Sequence, residues 1–263
     1  MPVGPARMPL LDHLGELRRR LMIVVVSLFV AAIVLYFATP TLIDIFIDPI
    51  RSFLPEGELY LTTALGGFSI RFRVALFFAA IVCSPIIIWE IMGFFLPALT
   101  DKERKWVVPT VAALVALFFL GMLFAWLFIQ RPAFQWMTGE SKAFGNILPD
   151  AESYLGIMMG LELGFGVAFE LPLIVFYLTI LHIVPYATFR QSWRAIYVGI
   201  LVFAAMVTPD ASPVTMAFMY AALMMLYEAS LLVARQVIVA REGRAALKWT
   251  RADYEAAKEA ADA

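Results

Sequence analysis

Long uncharged apolar runs alternate with short clusters of charge along this chain. Leu21 to Ile43 passes 23 residues without a charged side chain. That exceeds the apolar core of a cleavable signal peptide and is long enough to cross a hydrocarbon layer of about 30 Å as a helix. It reads as an uncleaved anchor. The gaps between charges predict six spans in all. The first is roughly Leu21–Ala38, ended by Thr39-Pro40, and the second runs from near Val74 past Pro85 to about Phe94. The third lies between Trp106 and Gln130, closed by Arg131-Pro132. The fourth extends from near Glu152 to about Leu181, interrupted by Glu162 and Glu170, followed by Ala195–Pro209 and then Pro213 to Ala234. The fifth is short: 15 residues separate Arg194 from Asp210, a helix of about 22 Å against about 30 Å of hydrocarbon. The sixth starts directly after the tight turn Thr208 to Pro213. Pro49, Pro85, Pro97 and Pro172 read as structural prolines at turns and bends. No internal repeat is visible, which speaks against a carrier built from inverted repeats.

Composition agrees with this pattern. The chain is 62% hydrophobic with a mean hydropathy of +0.85, outside the range of soluble domains. The expectation is an all-α, polytopic membrane protein with one six-span domain over residues 1–235 and a cytoplasmic tail, 236–263, partly helical or disordered. Lysine and arginine set the orientation: with the N-terminus inside, 15 fall on the cytoplasmic side and 5 outside, so both termini are expected in the cytoplasm. Arg71 and Arg73 run against the rule and are read as snorkelling to the outer headgroups. The outer loops, about Thr39–Arg73 and Arg131–Ala151, are long, and apolar residues in the first suggest short interfacial helices. A single cysteine, Cys83, excludes an internal disulfide, and two distant histidines, His13 and His182, make a metal site improbable. No cofactor is expected, nor any contact with nucleic acid.

Six acids stand out because topology does not require them. Glu103 lies among Lys102, Arg104 and Lys105 on the charged island from Gly93 to Trp106. Glu16 precedes Arg18, Arg19 and Arg20 on an amphipathic helix with Leu10, Leu14, Leu17 and Leu21 at helical spacing. Glu170 falls near the middle of the fourth span, where an ionised, unpaired carboxylate costs several kcal/mol. It is expected to be protonated or partnered, in proton handling or in contact with another helix. Glu162 lies two turns away, with access to outer water as its simpler reading. Glu90 is open between extending an acidic pocket and reaching the interface, and Glu228 reads as an interfacial ion pair or hydrogen bond. Protease, nucleotide-binding and hydrolase motifs are absent, so a non-enzymatic protein is expected.

These blocks resemble the TatC family, the multispanning subunit of the twin-arginine protein translocase. The matching residues are His13-Leu14-Gly15-Glu16-Leu17-Arg18-Arg19-Arg20, Phe94 to Leu99 through Glu103-Arg104 to Val108-Pro109, Phe165-Gly166 to Pro172, and Thr208-Pro209-Asp210. The resemblance spans about Leu10 to Arg235. It implies a cupped bundle with short fifth and sixth spans in a bacterial-type inner membrane, homo-oligomeric within a larger complex. It implies a receptor for the arginine pair of export signal peptides, with Glu16 and Glu103 binding the arginines and His13, Arg18 and Phe94 around them; Glu90, read from its charge, is placed below the same site. Glu170, with Glu162 as a second intramembrane acid, is assigned to transport, and Thr208, Pro209 and Asp210 to docking of single-span TatA- and TatB-type partners. Transport would be driven by the proton-motive force. A proton-coupled small-solute carrier using Glu162 and Glu170 is the alternative. Glu90 and Glu162 are additions to the common pattern, and Met216 and Ala222 stand where the family often has a polar residue and a proline.

Overall fold

The computed structural model describes residues 10–54, 58–95, 107–145, 148–180, 183–208, 212–250, 252–254 and 256, with side chains from residue 14 onward and to 94 in the second segment. Among them the regular structure is helical, apart from one isolated bridge. Helix α1 is Leu10–Phe46 and α2 is Gly66–Phe95. Helix α3, Val107–Phe124, passes through a π turn, Ala125–Ile129, into α4, Gln130–Lys142. Then come α5, Ala151–Ala168, α6, Leu171–Ile180, a short α7, Tyr186–Gln191, α8, Trp193–Val207, and α9, Pro213–Glu242. Five stretches are long and apolar enough to cross a membrane: Leu14–Phe46, Gly66–Phe94, Val107–Lys142, Ala151–Ile180 and Pro213–Glu242. The shorter apolar α8 completes the six predicted spans.

Several predicted ends move outward. Helix α1 does not stop at Thr39-Pro40; it continues a further two turns, carried by Leu42, Ile43, Ile45 and Phe46. The buried Thr39 hydroxyl donates to Leu35 O at 3.0 Å, so its own polar group is satisfied inside the helix, and the helix runs on although Pro40 contributes no donor. Arg131-Pro132 likewise fails to end the third span. Just before it, Gln130 N–H bonds to Ala125 O five residues back, and this wider turn absorbs the mismatch around the proline. Helix α2 starts eight residues before Val74, because Arg71 and Arg73 are accommodated on it rather than terminating it. The sixth span, expected to be short, forms a 30-residue helix that runs through Arg235. It ends at Gly243, whose φ of 87° favours glycine and breaks the helix. The 15-residue α8 is short as expected.

The chain divides into two compact units, each described by itself: Met1–Phe119 with Gly145–Met159, and Leu120–Phe144 with Gly160–Ala263. In the first, α1 packs along α2. Phe46 lies 5.3 Å from the Phe77 ring and 5.7 Å from Phe78, and Arg71 sits over the Tyr36 ring at 5.5 Å. The expected interfacial helix appears as the 3₁₀ turn Asp48–Phe53, with Pro49 at its start, where its missing N–H has no cost. Tyr60 bridges to the start of α5: its N–H reaches Pro149 O at 2.9 Å, and its carbonyl accepts from Ala151 at 2.9 Å. Arg73 pairs with Glu152 at 2.6 Å.

In the second unit, α9 packs against α6 and α8 through a stripe at helical spacing that includes Met219, Leu223, Leu231 and Ile238. Lipid tails give no hydrophobic drive for such contacts, so small residues that let helices approach matter most. Gly121 is the tightest case in this unit: a Cβ there would lie 2.5 Å from the backbone oxygen of Phe165 and 2.9 Å from Cβ of Phe169. Phe124 stacks beside it against Phe165 at 5.9 Å and Phe169 at 5.5 Å. Ser212 caps α9, its hydroxyl accepting from Val214 N–H at 3.2 Å.

Asp150 caps α5, accepting from Ser153 N–H at 2.9 Å and its hydroxyl at 2.8 Å, while Thr62 donates to it at 2.8 Å. The Thr62 bond first, then those from Ser153, hold this carboxyl below the usual aspartate value. Asp150→Ala is expected to cost about 1 kcal/mol at neutral pH, read as a lower melting temperature in detergent. A carboxyl with a lowered folded value stabilises fully above the unfolded value of about 3.9 and loses that contribution as the pH falls through the folded one. The gap between wild type and variant should therefore close on acidification.

Candidate functional site

Helix formation from Leu10 places Glu16 and Arg20 one turn apart on α1, facing the last turns of α2. Arg20 then gathers two of the predicted acids. Its Nε and Nη2 donate to Glu16 Oε1 at 3.0 and 2.6 Å, and its Nη1 donates to Glu90 Oε2 at 2.9 Å. All three side chains are largely shielded, with Glu90 the most enclosed at 13% exposure. Glu90 is therefore paired with an arginine of the chain itself. Arg18 and Arg19 point outward, exposed, and Phe94 is half-buried at the end of α2. The Glu103 and Pro97 positions and the His13 side chain lie outside the described residues, as do Pro209 and Asp210.

The two intramembrane acids are not joined to each other by any hydrogen bond among the described residues. Glu162, on the inner side of α5 at 5% exposure, accepts from Gln130 Nε2 at 2.7 Å. Its simpler reading, access to outer water, gives way to a buried pair between α5 and the start of α4. Gln130 itself is fully buried, and its Oε1 has no hydrogen-bond partner among the described residues. Glu170 sits where α5 stops and α6 begins, ahead of the buried Pro172. Its N–H turns back to Val167 O at 3.1 Å, and its carbonyl accepts from Leu173 and Ile174 at 3.1 Å each. Both carboxyl oxygens are buried without a hydrogen-bond partner among the described residues.

Thr208 is buried at the end of α8, its hydroxyl donating to Ala204 O at 3.0 Å. Along α8, Val198, Val202 and Met206 form an exposed apolar stripe four residues apart. Pro85 lies within α2 without ending it. Glu228 makes the expected ion pair, accepting from Arg190 Nη1 at 2.8 Å and from Tyr197 OH at 2.7 Å. Sequence reasoning missed two contributors. Arg20 had been absorbed into the positive-inside count, although its one-turn spacing from Glu16 was readable. Gln130 closed an uncharged run, and no local pattern tied it to Glu162.

The geometry defines a polytopic, all-α membrane protein with an acidic, arginine-holding cluster at one end of its first helix pair and buried acids within its spans. The family model for Sec-independent protein translocase protein (TatC) matches residues 12–221. The TatC protein of Deinococcus radiodurans is 32% identical over 242 residues, covering 89% of this chain and 88% of that one. The chloroplastic TATC of Pisum sativum is 31% identical over 221 residues, 84% of this chain and 62% of its own length. A crystal structure of the twin-arginine translocase receptor TatC in DDM superimposes with a TM-score of 0.73 at 25% identity, covering 84% of this chain and 99% of that one. This chain belongs to the TatC family: it is a multi-pass membrane protein and a component of a Sec-independent protein translocase.

The Gln130–Glu162 pair yields a stability test. Gln130→Leu strands a buried carboxyl and should cost about 1–3 kcal/mol, seen as a lower melting temperature in detergent. Adding Glu162→Leu should recover part of that loss, and strictly additive effects would show that the two side chains are not coupled.

Proposed function

We propose that this chain is the signal-peptide receptor and core subunit of a Tat translocase, receiving twin-arginine signal peptides at the cytoplasmic face. The supporting observation is the cluster at the α1–α2 end, where Glu16 and Glu90 together hold a guanidinium through three charge-assisted hydrogen bonds. Arginine's planar fork fits such carboxylates, and lysine, a point charge, does not reproduce the geometry. Charge-assisted bonds of about 1.5–3 kcal/mol each suffice to separate an arginine pair from a lysine pair. Glu103 supplies the second carboxylate for the pair, with His13, Arg18 and Phe94 around the site; the lysine and arginine bias supports cytoplasmic termini, and the family supports a bacterial-type inner membrane. Residues 1–235 form one membrane domain, followed by a cytoplasmic tail.

The exposed stripe of Val198, Val202 and Met206 supports docking of single-span TatA- and TatB-type helices at α8, with Thr208, Pro209 and Asp210 at its end. Glu170, its carboxyl without an internal partner, supports a transport role in which it is neutral or meets a group from another subunit. Such a subunit works in a larger complex with further copies of itself, drawing on the proton-motive force. The carrier alternative needs Glu162 and Glu170 in one relay, and Glu162 is instead engaged by Gln130.

Binding of an Arg-Arg signal peptide to the purified protein tests the receptor role. Glu103→Gln should lower that affinity at least tenfold, and unaltered binding would remove Glu103 from the site. In a cell-based export assay, Glu170→Ala should abolish transport while leaving peptide binding intact; unimpaired export would remove Glu170 from the mechanism.

A further inference from the structure

The carboxylates read above as a receptor for a ligand's arginine already hold an arginine of the chain itself. Arg20 directs three of its five N–H donors into the cluster, two to one oxygen of Glu16 and one to Glu90. Helix α2 is cut to receive it. Gly93 is buried one turn beyond Glu90, and a Cβ placed there would collide with Arg20 Nη1 and come within 2.8 Å of its Cζ. The guanidinium thus occupies a notch that exists only because residue 93 has no side chain. Two carboxylates and a notch form a complete seat for a guanidinium, and the seat is filled from within.

We propose that Arg20 is a resident stand-in for the ligand's arginine, and that a twin-arginine peptide binds by exchange, one of its guanidiniums taking over Glu16 while Arg20 retains Glu90. The inference rests on the receptor reading of Glu16. The resident contact is suited to being displaced. Arg20 and Glu16 each keep 22% exposure, so a ligand's guanidinium can reach the seat, and it would replace the resident bonds with the same charge-assisted bonds in kind. Without a resident, two acids would face each other across the helix pair. With one, their mutual repulsion is offset by the charge they share until a competitor of the same chemistry arrives.

Exchange has a quantitative signature. A seat closed about nine times in ten lowers the apparent affinity of every ligand about tenfold, because only the open fraction binds. Competition scales an arginine and a lysine ligand alike, so it sets a threshold without changing their ratio. A residue that instead orients Glu16 for the ligand would act in the opposite sense, and its removal would weaken binding.

The test measures binding of labelled Arg-Arg and Lys-Lys signal peptides to the purified full chain in nanodiscs. Arg20→Gln is expected to tighten Arg-Arg binding about tenfold and to leave the Arg-Arg to Lys-Lys ratio within about twofold. Gly93→Ala keeps the positive charge but pushes the flexible end of Arg20 off its seat, and it should tighten binding in the same direction. Weaker or unchanged binding in Arg20→Gln overturns the exchange. So does tightening in Arg20→Gln without any in Gly93→Ala, which would mean that only net charge had changed. A wild-type protein showing no preference for Arg-Arg removes the receptor reading and this inference together. Wild-type preference with unchanged variants removes the exchange alone.

Discussion

Hydrocarbon offers a backbone amide no partner, so each N–H and C=O within a span must be satisfied by the chain. That constraint governs the fold more than any single contact. It keeps the buried Thr39 hydroxyl bonded back to Leu35 O beside Pro40, and it turns the ladder into a π turn ahead of Pro132 instead of breaking it. Where the ladder does break, between Ala168 and Leu171, the freed groups are taken up at once by Val167 O, Leu173 and Ile174. Two polar side chains of the spans stand at these irregularities. Gln130 follows the π turn, and Glu170 occupies the break.

Several charges near the helix ends are joined to an opposite charge on another segment. Arg20 serves Glu16 and Glu90, Arg73 serves Glu152, and Arg190 serves Glu228 together with Tyr197. The first two contacts tie separate segments of one compact unit, and the third ties α7 and α8 to α9 in the other. Ion pairs of this exposure add little stability individually. Their value lies in register, since each fixes how far one helix has slid along its neighbour.

Existence and order of the spans were legible because the signal is compositional: runs without charge must be either core or membrane. Helix ends were less legible. Gaps between charges locate the hydrocarbon, whereas a helix ends where its hydrogen bonds do, so Arg71, Arg73, Arg131 and Arg235 misled by one to several turns. Proline misled in the same way at positions 40 and 132, where soluble-protein rules predict a stop and neighbouring side chains or a wider turn prevented one. The acids could be found singly by their cost. Their partners could not, because Glu90 and Arg20 lie 70 residues apart and Gln130 and Glu162 lie 32 apart. Glu228 illustrates both halves: its ion pair was foreseeable, whereas Arg190 as its partner depended on α7 folding back beside α9.

The π turn at Ala125–Ile129 has a consequence for how this sequence can change over generations. Such a turn is an α-helix holding one extra residue, and losing or gaining a residue there leaves the surrounding helix intact. An insertion or deletion absorbed in such a turn leaves the residues beyond it on their original face, whereas one that is not absorbed rotates everything downstream by about 100°. In that second case Gln130, the next residue, would swing away from Glu162 and strand a buried carboxyl. The wide turn is therefore the slack in the third span: a change of length is tolerated where the turn can take it up, and elsewhere only if residue 162 is rewritten as well.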